Sequence, residues 1–412
     1  MNVRRSAAVL AATAVIGAAT PAAAADPTPS ASPSVVIPSG LYGSADPTYD
    51  GVWRQSLALL AQDTVGVKPA GKAVDWLTGQ QCADGAFAAF RADPAKACDA
   101  KLMVDTNSTA AAVQALAALG GHEAEVEKAV TWLKSVQNAD GGWGYAAGGA
   151  SDTNSTSVVV GALAAAGEKP AEVVKGGKSP YDALMKLALP CDGAGAGAFA
   201  YQPDKTGKAA ANADATAAGV LGALGKGLAP AAGTKSDAAT CADAGPTPQQ
   251  AAANGAAYLA RTMQKDGYLT SVLPGAENQP DHGNTADAVV ALAAQGGAAS
   301  ADKPLKWLQQ NSAAWAKQSG PAAYAQLIFA AHATGTDPRA FGGTDLVTAL
   351  NATGPAPQST GKATAGASDD DPAAPGKGDS DDGFGTWWTI GVFLVAGIGI
   401  GFLISGRRKQ QP

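Results

Sequence analysis

Apolar positions along the middle of the chain recur in two alternating patterns, and the patterns come in pairs. One reads Ala73-Val-Asp-Trp-Leu-Thr-Gly-Gln-Gln-Cys-Ala-Asp-Gly-Ala-Phe87 and returns as Ala129-Val-Thr-Trp-Leu-Lys-Ser-Val-Gln-Asn-Ala-Asp-Gly-Gly-Trp143. The other reads Asp105-Thr-Asn-Ser-Thr-Ala-Ala-Ala-Val-Gln-Ala-Leu116 and returns as Asp152-Thr-Asn-Ser-Thr-Ser-Val-Val-Val-Gly-Ala-Leu163. Weaker copies of the second start at Asn212 and Asp281, and of the first at Tyr258 and Trp307. An internal repeat of this kind decides the fold before any single motif does. In the second pattern, Asp, Asn, Ser and Thr stand where a helix start needs a side-chain acceptor, and the Ala, Val and Leu that follow have helical spacing. Gly120, Gly167, Gly225 and Gly296 then stand where a helix ends.

The patterning predicts six helices of the second kind, beginning near residues 52, 108, 155, 214, 284 and 321. It predicts six partners near 69–80, 123–137, 177–189, 248–263, 302–310 and 344–351. The first set has small side chains and few charges, which suits burial on all sides. The second carries charged residues, such as Glu123, Glu125, Glu127, Lys128 and Lys134, and suits an outer layer. Alternating inner and outer helices close into an all-α, six-hairpin α/α toroid over residues 46–353.

Composition agrees: 97 alanines and 51 glycines in 412 residues favour many short helices. A formal charge of −6 leaves no basic excess to neutralise phosphates, which excludes nucleic acid as a partner. The ends read as segments outside the fold. Residues 1–25 carry Arg4 and Arg5, an apolar run and a small-residue stretch, the layout of a signal peptide. Residues 26–45 read as a Pro/Ser-rich linker and 354–385 as an acidic Pro/Gly/Ala stalk. Residues 386–405 form an uncharged stretch opening on Trp387 and Trp388, and 406–412 a basic tail with Arg407, Arg408 and Lys409. This is the pattern of a single transmembrane helix with its tail on the cytoplasmic side, holding the globular part outside the cell. Cell-wall attachment in place of the tether would need a sorting motif; the nearest stretch, Pro357-Gln-Ser-Thr-Gly361, lacks its start. Four cysteines, Cys82, Cys98, Cys191 and Cys241, fit two disulfides in an exported protein, with three pairings open. Nearest-neighbour pairing joins Cys82 to Cys98 and Cys191 to Cys241. No Cys-x-x-Cys pair suggests zinc.

The run from Lys128 to Trp143, aromatic-Leu followed by Gln and Gly-x-Trp, resembles the repeat of squalene and oxidosqualene cyclases and protein prenyltransferases. The resemblance implies the α/α toroid that this superfamily shares with cobalamin carriers of the intrinsic factor type. It does not carry the chemistry across. A cyclase that protonates its substrate uses Asp-x-Asp-Asp-Thr-Ala, whereas Asp105-Thr-Asn107-Ser108-Thr-Ala110 has an amide and a hydroxyl in place of the acids. Asn212-Ala-Asp214 keeps one acid, and the ligand set of a zinc prenyltransferase is missing around Asp281 and His282.

What remains is a ring of polar residues at inner-helix starts, Asp105, Asn107, Asp152, Asn154, Asp214, Asp281, His282 and Asn284, with Trp143, Tyr145 and Tyr201 preceding them. All are expected at one mouth of the toroid, where helix N-termini also present free N–H groups. A concave opening with aromatic walls and fixed polar groups is the default place for a ligand. The sequence is therefore read as a membrane-tethered extracellular protein that captures a small molecule or surface ligand. A corrinoid is the most concrete candidate that the resemblance offers, and no cofactor is named. A degenerate isoprenoid cyclase or prenyltransferase and a glycan- or protein-binding module are the alternatives. The sequons at Asn107 and Asn154 read as parts of the helix start.

Overall fold

The computed structural model describes residues 36–235, 240–243, 247–273 and 276–359. Among these, the α-helices are α1 (Gly51–Thr64), α2 (Gly71–Gly79), α3 (Thr106–Leu119), α4 (Glu123–Ser135), α5 (Thr153–Ala165), α6 (Pro180–Leu187), α7 (Ala213–Ala223), α8 (Pro248–Thr262), α9 (His282–Gly296), α10 (Asp302–Asn311), α11 (Ala313–Ser319), α12 (Pro321–Thr334) and α13 (Leu346–Asn351). Two short strands, β1 (Leu269–Thr270) and β2 (Pro280–Asp281), pair antiparallel ahead of α9.

The inner helices pack in the order α1, α3, α5, α7, α9, α12, and α12 packs back on α1, so the ring closes. Helices α2, α4, α6, α8, α10 and α13 lie against them from outside. The core is largely alanine: Ala58, Ala110, Ala112, Ala162, Ala217, Ala288, Ala291 and Ala325 are fully or almost fully buried. Small side chains let the inner helices approach on all sides, and an interior at close-packed density leaves few voids. The extra helix α11 departs from the sequence expectation; Gly320, with φ of 78°, and Pro321 separate it from α12.

The Gln and the Gly-x-Trp of the repeat form a joint between consecutive outer helices. The Gln137 amide donates to the carbonyls of Gly141, at 2.8 Å, and Val173, at 3.0 Å. Gln81 does the same to Gly85 and Glu125. Trp143 is buried and donates from Nε1 to the Leu133 carbonyl at 2.7 Å. Gly141 adopts φ of 89°, and a Cβ there would sit 2.1 Å from the Ser179 carbonyl oxygen, so only glycine fits.

The folded body extends beyond the expected bounds at both ends. Residues 37–45, within the expected linker 26–45, include the buried pair Leu41 and Tyr42. The Tyr42 hydroxyl reaches Gln62 and the Pro355 carbonyl, each at 3.1 Å, and Gly354 packs on the Tyr42 ring. Gln358, within the expected stalk, bonds the carbonyls of Lys68 and Pro69. One apolar pair inside a Pro/Ser-rich stretch suffices to dock it, and average composition hides such a pair. The signal peptide (1–25), the remainder of the linker, the stalk from residue 360, the span (386–405) and the tail (406–412) lie outside the described residues. Among the described residues no helix is long and apolar enough to cross a membrane. Cys82–Cys98 and Cys191–Cys241 are disulfide-bonded.

Candidate functional site

Four of the six inner helices, α3, α5, α7 and α9, begin with the same device, whereas Asp50 and Gly320, ahead of α1 and α12, make no side-chain cap. The side chains of Asp105, Asp152, Asn212 and Asp281 accept from the backbone N–H three residues on, at Ser108, Ser155, Ala215 and Asn284. A threonine one turn into each helix, Thr109, Thr156, Thr216 or Thr285, accepts from the backbone N–H of Phe87, Trp143, Phe199 or Leu269. The incoming strand-like segment is thereby tied to the helix it precedes. The acids at the cap positions are thus structural: they satisfy N–H groups that helix geometry leaves unpaired. Burial raises Asp105 and Asp152 to about 6 against the hydrogen bonds they accept.

The residues that face the bore stand elsewhere in the unit. On α5, Asn154 is two places past the cap and donates to the Asp214 carboxylate of α7 at 2.8 Å. Asn107 holds the equivalent place on α3. On α9 that place belongs to Gly283, and one helical turn deeper Asp287 accepts from the Gln326 amide of α12 at 3.1 and 3.2 Å. Trp53 of α1 completes the circuit, lining an axial cavity with Gln114, Asn154 and Ser157. That cavity measures about 40 Å³, room for one water. The side-chain oxygens of Asn107 and Asn154, Oδ1 in each, and Ser157 Oγ are buried without a protein partner.

Asp214 and Asp287 are half-buried by surface yet closely surrounded by protein atoms. Desolvation, followed by the charge of Asp287, raises Asp214 to about 8, with Asp281 and Asp152 adding to the rise. Asp287 is raised to about 7, again chiefly by desolvation, with Asp281 contributing. The stabilising partners of the pair are amides, Asn154 and Gln326, which donate without neutralising.

Around this floor stands an aromatic rim. His282 stacks on Trp315 at 5.4 Å between ring centroids and tilts against Trp307 at 4.9 Å, while Tyr268 meets Trp307 at 4.6 Å. Burial lowers His282, partly opposed by its bond to the Asn311 backbone and the charge of Asp281. The Tyr201 hydroxyl bonds Asp152, and Tyr145 lies near Asp105; burial, then these charges, hold both phenols above their usual range. The carbonyls of Tyr145 and Tyr201 accept from the first N–H of α3 and α5.

Of the residues the sequence singled out, Asn107, Asn154, Asp214, Tyr145, Tyr201 and His282 reach the mouth or its floor. Asp105, Asp152 and Asp281 spend their carboxylates on capping, and Asn284 bonds Asp281 with its side chain at 2.8 Å. Trp143 is 1% exposed and wedges repeats together, so it is corrected from rim to core. Asn107 and Asn154 are 4% and 2% exposed, which closes both sequons to a glycan. Sequence reasoning missed Asp287, Gln326, Trp53, Ser157 and Trp315. For Asp287 the signal was present: it falls one turn below the residue aligned with Asn154 and Asp214, on the same helix face.

The opposite end of the bore is closed. Residues 226–232 cross it, with Leu228 N–H donating to Gln114 at 2.8 Å and Lys226 Nζ donating to the Ala294 carbonyl at 3.2 Å. Gly161 and Gly227 touch so closely that a Cβ on Gly161 would sit 2.7 Å from Gly227 Cα. An outer depression of about 520 Å³ remains over this plug, lined by Leu60, Ala118, Ala165 and Pro230 among others.

Residues 101–178, spanning α3, α4 and α5, match the squalene-hopene cyclase C-terminal domain. The match covers 78 of the 412 residues. The Gln137 and Gly141-to-Trp143 joint and the inner helices capped by Asp105 and Asp152 fall within the matched residues. No curated protein matches the chain. Among solved structures, a protein from Actinoplanes is similar at 17% identity over 72% of this chain and 94% of that one, with a TM-score of 0.47. The ent-copalyl diphosphate synthase from Streptomyces platensis is similar at 18% identity over 69% of this chain and 50% of that one, with a TM-score of 0.46. A sugar epimerase from a ruminal bacterium is similar at 13% identity over 66% and 80%, with a TM-score of 0.43.

Proposed function

We propose that the protein is a binding toroid, tethered outside the cell by a C-terminal membrane helix, that captures a small molecule at the N-terminal mouth of its inner helices. The observation that carries this reading is the convergence, at one mouth, of an aromatic rim on a floor of two enclosed carboxyls with no cation against them among the described residues. A fold does not gather unpaired polar groups at its axis for stability, since each costs free energy to bury. Two disulfides and the character of the two termini support the extracellular placement. The corrinoid is not carried forward, since it rested on resemblance of fold alone.

A thermal-shift screen of the full chain against neutral, cationic and anionic small molecules tests the reading. Stabilisation by a compound, lost in Asp287→Asn and in Asp214→Asn, supports it. Stabilisation that survives both substitutions moves binding away from this mouth and sinks it.

One observation favours a second reading, acid catalysis on an isoprenoid. Carboxyls raised to about 7 and 8 keep protons near neutrality and can act as general acids. Turnover of an isoprenoid epoxide or diphosphate by the wild type, abolished in Asp214→Asn, would replace binding by catalysis.

A further inference from the structure

Every unpaired side-chain atom found at the floor of the mouth is an acceptor or can serve as one. Asn154 is 2% exposed and has committed its amino group to Asp214, so its free Oδ1 accepts only. Asn107 Oδ1, at the equivalent place on α3, is equally unpartnered. Ser157 Oγ opens on the same axial cavity as Asn154. Asp287 receives one amide and Asp214 another, which leaves lone pairs on both carboxyls free for a donor. Trp53 lines the cavity from α1 and Trp315 walls the α9 side, where it lies against Gly283. Acceptors beside indole rings suit a positive group that carries N–H donors.

Resting on the binding reading above, we propose that the mouth recognises a protonated primary or secondary amine with an apolar body. Its ammonium group sits between Asp214 and Asp287 with Asn154 Oδ1 beneath, and its body lies along Trp53 and Trp315.

The charged groups that face the pair are few. Asp152 caps α5, Asp281 caps α9 and His282 opens it, the Tyr201 phenol precedes α7 within reach of the Asp214 charge, and Gln326, which is uncharged, stands on α12. Lys226 lines the cavity from the plugged end and gives its ammonium to the Ala294 carbonyl. The balance at the pair is negative once its protons leave. A cation that binds must displace those protons, so affinity should rise with pH through the range in which the pair titrates.

Isothermal titration of the chelator-treated full chain with phenethylammonium tests the proposal, with the neutral isostere 2-phenylethanol and with calcium as comparators. Expected are binding of the amine at least about tenfold tighter than the alcohol, a gain of about tenfold per pH unit approaching pH 8, and a loss of about tenfold or more in Asp287→Asn and in Asp214→Asn. Equal binding of alcohol and amine overturns the amine proposal while leaving a binding mouth in place. An affinity for the amine that is flat with pH overturns it as well, and so does heat from calcium with none from the amine. Should neither asparagine variant fold, the pH profile of the wild type still decides.

Discussion

On α3 and α5 the residue two places past the cap is an amide, Asn107 or Asn154. On α7 it is Asp214, and on α9 Gly283 leaves the place empty while Asp287 enters the bore one turn deeper. The caps of all four helices are nevertheless alike, an Asp or Asn followed by a Thr that accepts from the preceding segment. One set of positions is repeated because each of these four helices has the same unpaired N–H groups and the same kind of segment to hold. The other set differs because it faces the axis, where each residue meets different neighbours. Repetition therefore marks the frame, and departure from repetition marks the site.

The largest expected effect belongs to the frame. Gly141→Ala places a Cβ 2.1 Å from the Ser179 carbonyl oxygen on a backbone with φ of 89°, so strain and displacement both count. A loss of about 3 kcal/mol or more is expected, read as a lower denaturation midpoint with an unchanged slope. The same change at Gly120, which has φ of 68° but open space, should cost less. Equal costs at the two would mean that conformation alone, and not the joint between outer helices, sets the glycine.

Next comes the acid half of the ring. Asp214 and Asp287 hold protons in the folded state to about 8 and about 7, against an ordinary value of 3.8. A group raised on folding gives its full contribution below the unfolded value and loses it as pH climbs through the folded one. Stability should therefore fall as pH rises from about 4 to about 8. The double variant Asp214→Asn, Asp287→Asn should remove most of that slope in thermal melts across this range. A slope kept by the variant would assign the pH dependence to Asp105 and Asp152, the acids of the other half, raised to about 6.

How far the sequence shows this follows from the same division. Cap residues and the six helix pairs are legible because they repeat, and of the three cysteine pairings left open by the sequence the structure has the nearest-neighbour one. The pairing of Asp214 with Asp287 is not, since the fourth and fifth units drift and Gly283 occupies the place where an acid would have been sought. Tyr42 is hidden by the prolines and serines around it, and the plug at 226–232 has no periodicity at all. Trp143 shows the opposite error: an aromatic before a helix start reads as rim, but its indole N–H turns inward to the Leu133 carbonyl.

Within the frame, the two halves should pay differently for the loss of a cap. Asp152 is fully buried and accepts from Ser155 N–H and Oγ, at 2.7 and 2.9 Å, and from Tyr201. Its replacement by alanine strands buried donors, and about 2 kcal/mol is expected. Asn212 is half-buried and water can take over its role, so Asn212→Ala should cost about 1 kcal/mol or less. Chemical denaturation of both variants reads the difference.

The smallest effect sits where the halves meet. Asn154→Leu removes the donor to Asp214 and also an unpartnered buried oxygen, so loss and gain nearly cancel, within about 1 kcal/mol. The consequence is instead a matter of proton affinity. The Asn154 bond holds Asp214 below the level that burial alone would set, and without it the carboxyl should keep its proton to a higher pH. The fall of stability with pH should then extend to a higher pH than in the wild type, while Ser157→Ala, which removes an unpaired hydroxyl from the same cavity, leaves its upper end where it was. A shift in both variants would show that cavity solvation, and not the amide, couples the α5 side of the ring to its acids.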